Sequence, residues 1–128
     1  MDNNRVLLSA FLRGEIDNSN FHHDDHVRIG FEILRHHTFG DAAAAVSRSL
    51  RSITARAGRP EAYHETITLA FLSLIAERLA AGNYLDFESF AGANADLLNK
   101  SVLERWYTRD RLGSELARKT FVLPGAVQ

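Results

Sequence analysis

The sequence predicts an all-α fold, a single domain built as a bundle of five to six helices. Apolar residues recur at alternating spacings of three and four over much of the chain, which is the period of one face of an α-helix. No apolar–polar alternation persists long enough to indicate a sheet. The chain has 128 residues, of which 45% are hydrophobic and 24% are charged. This length and composition are typical of one globular domain with its own core.

A polar turn separates the first two predicted helices. Apolar residues between Val6 and Ile16 indicate a short first helix, whose end Gly14 weakens. The run Asp17–Asn20 supplies side chains suited to a turn and to a helix N-cap. A second helix is therefore expected to begin close to Phe21.

The third helix has the clearest pattern, because one apolar stripe continues from Phe39 to Ala57. Thr38, followed three residues later by Asp41, resembles a capping box at the start of this helix. Gly58 is suited to the left-handed conformation that often ends a helix. The sequence thus marks both ends of the third helix.

The fourth helix is expected to run from about Glu61 to Ala81. Pro60 suits the first turn of a helix, where its missing N–H would have no partner in any case. Gly82 is expected to end the helix.

The C-terminal third has a less regular pattern. Asp86 is a candidate N-cap for one helix over Phe87–Leu98, followed by a break near Asn99. A last short helix is expected around Leu112–Lys119. The following segment, Phe121–Pro124, is expected to pack in an extended conformation.

Charge and composition exclude several classes of protein. Fifteen basic and sixteen acidic side chains nearly cancel, so no long-range field favours nucleic acid or an anionic membrane. No stretch approaches eighteen apolar residues and the N-terminus lacks a secretory pattern, so a cytoplasmic location is expected. Because there is no cysteine, any metal must be bound through nitrogen and oxygen. Residues 1–4 and 125–128 are expected to be flexible.

The histidines are clustered. Five of the six lie between residues 22 and 37, and the sixth is His64. On a helical wheel, His23 and His26 fall inside the apolar arc of the second helix and His22 lies near its edge. His64 is centred on the apolar arc of the fourth helix. Short connections favour an up-down-up order with the second and fourth helices parallel, so both histidine groups are expected at one end of the bundle.

This cluster predicts a metal site. His22 and His26, four residues apart on a helix, can share one metal ion, and His64 could complete a site with three nitrogen ligands. Asp25 and Glu65 are candidate oxygen ligands, or partners that fix the imidazole tautomers. The expected cofactor is one divalent transition metal: zinc, iron, manganese or copper.

Without a metal, the same cluster predicts acid/base chemistry. His64 beside Glu65 is the candidate general base, and His23 is a further proton-transfer group. Guanidinium and hydroxyl groups nearby are candidates to bind the substrate, namely Arg28, Thr68 and Arg118. The leading hypothesis is an enzyme that acts on a small molecule. The alternative is a helical interaction or regulatory module in which the histidines form a structural hydrogen-bond network.

Two further histidines, His36 and His37, lie near the C-terminal end of the second helix. A cationic side chain is favourable there, so we interpret them as capping residues.

Three strings in the chain resemble an uncharacterised family of small bacterial helical proteins. They are FHHDDHVR at Phe21–Arg28, YHETIT at Tyr63–Thr68, and SELARKTFVLP at Ser114–Pro124. They fit the family patterns F-H-H-x-D-H-x-R, Y-H-E-T-I-T and S-x-x-A-R-x-x-F-V-x-P, and the similarity spans residues 17–124. The resemblance supports the choice of histidines and implies no particular reaction. The family pattern ends with an acidic residue where this chain has Gly125.

Overall fold

The computed structural model describes residues 3–125, which form seven α-helices and four 3-10 helices and contain no strand. The α-helices are α1 (Asn3–Leu12), α2 (His23–Leu34), α3 (Phe39–Arg56), α4 (Glu65–Ala81), α5 (Phe87–Ala93), α6 (Arg109–Leu112) and α7 (Glu115–Lys119). The 3-10 helices are Asn18–Asn20, Pro60–Ala62, Ala95–Leu98 and Lys100–Arg105. The predicted all-α class is confirmed. The helices are more numerous than expected because the C-terminal third is divided into short pieces.

The expected flexible ends are only partly described. Residues 1–2 and 126–128 lie outside the described part of the chain. Asn3 and Asn4 begin α1, and the Asn4 side chain accepts a hydrogen bond from Arg28. No helix among the described residues is long and apolar enough to cross a lipid bilayer.

Helices α2 and α4 form the centre of the fold. They approach so closely at Gly30 that a Cβ atom there would lie 2.7 Å from Cδ1 of Ile75. One face of this pair packs with α1 and α3 around a core that includes Phe11, Ile29 and Leu50. The other face packs with the C-terminal third around a second apolar core, which includes Phe31, Phe90 and Leu97. The two central helices therefore join two apolar cores.

Local signals place α3 where the sequence predicts it. The Thr38 hydroxyl accepts a hydrogen bond from the backbone N–H of Asp41 at 3.3 Å, as expected for the N-cap. The helix ends at Arg56, and Gly58 has φ +76°, a conformation that glycine adopts without steric cost.

The start of α4 differs from the prediction. Pro60 begins a 3-10 helix instead of the long helix, so the predicted start at Glu61 is wrong. Tyr63 and His64 are extended, and the His64 side chain caps α4 by accepting a hydrogen bond from the Ile67 N–H. The helix therefore begins at Glu65, directly after the residue whose imidazole satisfies one of its free N–H groups.

The predicted single helix over Phe87–Leu98 is wrong, because it is interrupted at Asn94. The Asn94 amide donates to the Phe90 carbonyl at 2.9 Å, and its oxygen accepts from Arg78 at 3.0 Å. Such bonds compete with continuation of the helix. The predicted helix over Leu112–Lys119 is likewise divided, since Ser114 caps a separate α7.

The C-terminal segment is extended and bound to α4 by a buried hydroxyl group. Oγ1 of the fully buried Thr66 donates to the Thr120 carbonyl at 2.8 Å and accepts from the Val122 N–H at 3.1 Å. The Tyr107 hydroxyl donates to the Val122 carbonyl at 2.8 Å. One α4 side chain thus satisfies two backbone groups of the last described segment.

We expect Thr66→Val to lower the free energy of unfolding by about 1–3 kcal/mol, because it leaves buried backbone groups unpaired. Thr66→Ser retains the hydroxyl and loses one methyl group, so its expected cost is about 1 kcal/mol. Urea unfolding followed by circular dichroism measures both values, and amide exchange at Val122 reports on the segment directly. A Val variant as stable as the Ser variant would show that the hydroxyl does not stabilise this segment.

A charged cluster joins α4 to the C-terminal third. Arg78 donates to both carboxylate oxygens of Asp96 at 3.0 and 2.9 Å, and Arg105 adds a bond of 2.9 Å. Hydrogen bonding from Arg78 is the main reason that the pKa of Asp96 falls from 3.8 to about 2. Because the folded protein has the lower pKa, this cluster stabilises it above about pH 4 and progressively less as the pH falls toward 2.

Asp96→Asn is expected to lower the free energy of unfolding by about 1 kcal/mol at pH 7, a modest value because solvent screens this half-exposed pair. The difference from wild type should shrink as the pH falls from about 4 toward 2. Urea titrations at several pH values measure it. A difference that does not change with pH would contradict the assigned role of the carboxylate.

Candidate functional site

A cavity of about 770 Å³ lies among α1, α2, α3 and α4. Its interior is apolar and includes Phe11, Ile29, Leu50, Phe71, Leu72 and Ile75. Its polar lining includes His22, His23, His26, His64, Thr68 and Lys100. The structure therefore brings both predicted histidine groups to one cavity, beside the N-terminal ends of α2 and α4.

His64 uses both ring nitrogens in backbone hydrogen bonds. Nδ1 accepts from the Ile67 N–H at 3.1 Å, and Nε2 lies 2.7 Å from the carbonyl oxygen of Leu112. Because a carbonyl can only accept, Nε2 must carry a proton. In this arrangement His64 connects the start of α4 to the end of α6 and has no nitrogen available for a metal or a substrate proton. The neighbouring Thr68 hydroxyl donates to the His64 carbonyl at 2.7 Å.

His23 is half-buried and connects α2 to the Ala95–Leu98 3-10 helix. Its Nε2 donates to the Leu97 carbonyl at 2.9 Å, and its ring lies edge-on to Phe71 at 4.6 Å. Burial removes hydration from the charged form and lowers the pKa of His23 below its usual value of 6.5. His23 is therefore neutral at pH 7.

His22 lies at the exposed N-cap of α2. Its backbone N–H donates to the Asp25 carboxylate at 3.0 Å. This bond satisfies one backbone group at the helix start. Asp25 thus contributes to capping, whereas the sequence predicts it as an oxygen ligand or as a partner that fixes an imidazole tautomer.

His26 differs from the other three. Its ring lies against Phe21, with 4.4 Å between ring centroids, and neither ring nitrogen has a hydrogen-bond partner among the described residues. His26 is exposed to solvent in the cavity, but neighbouring protein atoms displace part of the water around the ring, so a charge there is incompletely hydrated. This loss of hydration is the largest cause, and the charge of His23 the next largest, of the fall in the pKa of His26 to about 4. At neutral pH His26 therefore offers one free donor and one free acceptor.

The predicted three-histidine metal site gains no support from this geometry. Among residues 3–125, no group of three or more histidine, aspartate or glutamate side chains is arranged to hold a metal ion. His22 is the extended N-cap residue that precedes the helix carrying His26, and both ring nitrogens of His64 are bound to the backbone. A zinc, iron, manganese or copper centre thus stays a prediction from the sequence.

Glu65 does not line the cavity. Its carboxylate accepts hydrogen bonds from the Tyr63 hydroxyl and from Ser47, the latter at 3.3 Å. Burial and the bond to Glu65 raise the pKa of Tyr63 to about 12. This cluster connects α3 to the start of α4, and it does not place Glu65 beside the imidazole of His64 as a catalytic partner.

The two arginines predicted to bind substrate also lie outside the cavity. Arg28 donates to Asn4 at 2.9 Å and packs over the Phe87 ring at 4.4 Å. Arg118 donates to the Glu61 carbonyl at 2.7 Å and pairs with Glu115 at 3.4 Å. The structure thus gives both arginines a role in packing and loop attachment.

Sequence reasoning missed Lys100, which lines the cavity from the 3-10 helix Lys100–Arg105. This residue lies 36 positions after His64 along the chain, and no motif connects them. Only the folded C-terminal third brings the lysine to the histidines.

No protein-family model matches this chain, and no curated protein or solved structure gives a significant match. The family resemblance of the three strings therefore stays a prediction.

The hydrogen bonds predict a large loss of stability for substitution of His64 and a small change for substitution of His26. His64→Ala is expected to lower the free energy of unfolding by about 1–3 kcal/mol, because it removes an N-cap and leaves the Leu112 carbonyl unpaired. His64→Asn should recover part of this loss, since asparagine is a good N-cap. His26→Ala should change stability by less than about 1 kcal/mol, because the ring makes no hydrogen bond that is lost. Urea unfolding of the three variants checks this order, and equal losses at both positions would contradict it.

The titration of His26 is a separate test. We expect its ring resonances to titrate with a pKa near 4, well below that of an exposed histidine, and His26→Gln identifies the resonances. Because the unfolded chain takes up this proton first, the free energy of unfolding should fall as the pH drops from about 6.5 toward 4. A His26 pKa at or above 6.5 in the NMR titration would show that the cavity does not favour the neutral imidazole.

Proposed function

We propose that this protein binds a small, largely apolar molecule in the cavity, and that His26 makes the hydrogen bond that orients it. The observation that carries the proposal is the unpaired His26 imidazole in the wall of an otherwise mainly apolar cavity of about 770 Å³. Binding sites for small molecules commonly have roughly 300–1,000 Å³ of space and a few polar groups in an apolar lining.

The neutral state of His26 suits this role. A neutral imidazole can donate through one nitrogen and accept through the other. Within low-polarity walls such a bond is stronger than in water, and a ligand group left unpaired there is penalised. His26 would therefore favour an apolar molecule that carries one hydrogen-bonding group in the right position.

The other histidines prepare the cavity. His23 and His64 bind backbone carbonyls of the C-terminal third, at Leu97 and Leu112. These contacts support the structural network that the sequence offers as an alternative, and they account for His23 and His64. They leave His26 and the cavity unexplained, which is why ligand binding is the better proposal.

Acid/base catalysis is supported less well. His26 can accept a proton at neutral pH, but a general base works best when its pKa lies near the working pH, and burial lowers the pKa of His26 to about 4. Among the described residues, metal-dependent chemistry is favoured by the i,i+4 spacing of His22 and His26 in the sequence, and no group of three candidate ligands accompanies it. Binding is therefore the function that the geometry supports best.

Two isosteric probes test the proposal. Indole carries an N–H donor, whereas benzothiophene has the same shape without it. We expect both to bind wild-type protein, with chemical-shift changes at the cavity residues and affinities measurable by calorimetry. In His26→Leu, the preference for indole over benzothiophene should fall about 3–10-fold, the size of one net hydrogen bond.

Ala62→Trp is the matched control, because this exposed alanine lines the cavity and a larger side chain there should reduce binding of both probes. Absence of binding to the wild-type protein would overturn the proposed function. An unchanged preference in His26→Leu would overturn the role of His26.

A further inference from the structure

We propose that the ligand is an amphipathic monocarboxylate, with its apolar body inside the cavity and its carboxylate bound at the opening by Lys100 and His26. This inference rests on the proposed function and specifies the class of molecule. It is carried by the division of the cavity into an apolar interior and an exposed rim that contains an unpaired cation.

Lys100 has no internal counter-ion. The chain contains two lysines, and the other, Lys119, pairs with Glu115 on α7 at 3.5 Å. Among the described residues, Lys100 forms no ion pair and no side-chain hydrogen bond. Lys100 is exposed and lines the same cavity as His26, so its charge is available to an anion there.

The position of Lys100 brings its charge close to the imidazoles. Lys100, His23 and His26 all line the cavity, and the charge of Lys100 contributes to the lowered pKa of both histidines. A carboxylate at this place can accept one hydrogen bond from the ammonium group and one from a His26 ring nitrogen. Hydrogen bonds to charged groups are stronger than those between neutral groups.

Acidic groups nearby limit the anion to a single charge. Asp24 lines the cavity and is exposed, and Asp25 also acts on His26. Asp25 is engaged in capping α2, and an acidic side chain in the first helical turn is favourable. With one lysine opposed by these carboxylates, a monoanion fits better than a phosphate or a dicarboxylate.

The interior of the cavity determines the chemistry of the rest of the ligand. Its deepest side chains, including Ile29, Phe71, Leu72 and Ile75, are buried and offer no polar group. A polar metabolite such as a sugar acid would lose its hydration there without compensation. The apolar body of an aromatic or aliphatic acid would not suffer this loss, because it forms no hydrogen bonds with water.

A pair of probes that differ only in charge tests this inference. Indole-3-acetate is an anion, and indole-3-acetamide is a neutral molecule of nearly the same shape. Calorimetry on wild-type protein is expected to show about 5–10-fold tighter binding of the acetate, a preference that falls in 0.5 M salt. Lys100→Met should remove most of the preference, and Asp24→Asn should increase it.

Lys119→Met is the matched control, since it removes the other lysine without changing the cavity. Equal affinity of the two probes for the wild type, or an unchanged preference in Lys100→Met, would overturn the carboxylate inference while indole binding left the proposed function intact. If indole, the acetate and the acetamide all failed to bind, the proposed function itself would fall.

Discussion

At Gly30, helices α2 and α4 approach so closely that any larger residue would require Ile75 to move. This contact depends on the absence of a side chain, which permits the short distance between helices. It determines how the two helices are aligned, and therefore where their N-terminal ends lie. Because His22, His23, His26 and His64 all occupy those ends, the same contact brings them to one cavity.

The histidines then divide between two tasks. His23 and His64 attach the central helices to backbone carbonyls in the C-terminal third, which consists of short helices. In both rings the Nε2 proton is fixed by a carbonyl acceptor. His26 has no such partner among the described residues, so it can interact with a molecule in the cavity. A structural network and a binding site thus coexist in one cluster.

Features that depend on local sequence were predictable, and features that depend on distant contacts were not. The Thr38 cap and the end of α3 at Gly58 follow from nearby residues, and so does the apolar arc that contains His23 and His26. The break at Asn94 depends on Arg78, sixteen residues away. The late start of α4 depends on the imidazole of His64, which also binds the carbonyl of Leu112, 48 residues away. Arg28 lies on the charged face of the helical wheel, where packing against Phe87 and a bond to Asn4 are the simpler outcome. Lys100 reaches the cavity only through the tertiary fold.

The proposed function depends on the unpaired imidazole of His26, which receives the ligand. Nitrogen-15 spectra of the imidazole rings test it most directly, because the resonance of an unprotonated ring nitrogen shifts when it accepts a hydrogen bond. On addition of indole, we expect a shift at the unprotonated nitrogen of His26 and little change at His64, whose nitrogens are already bonded to the backbone. A His26 nitrogen resonance that does not change when indole occupies the cavity would show that His26 does not bind the ligand.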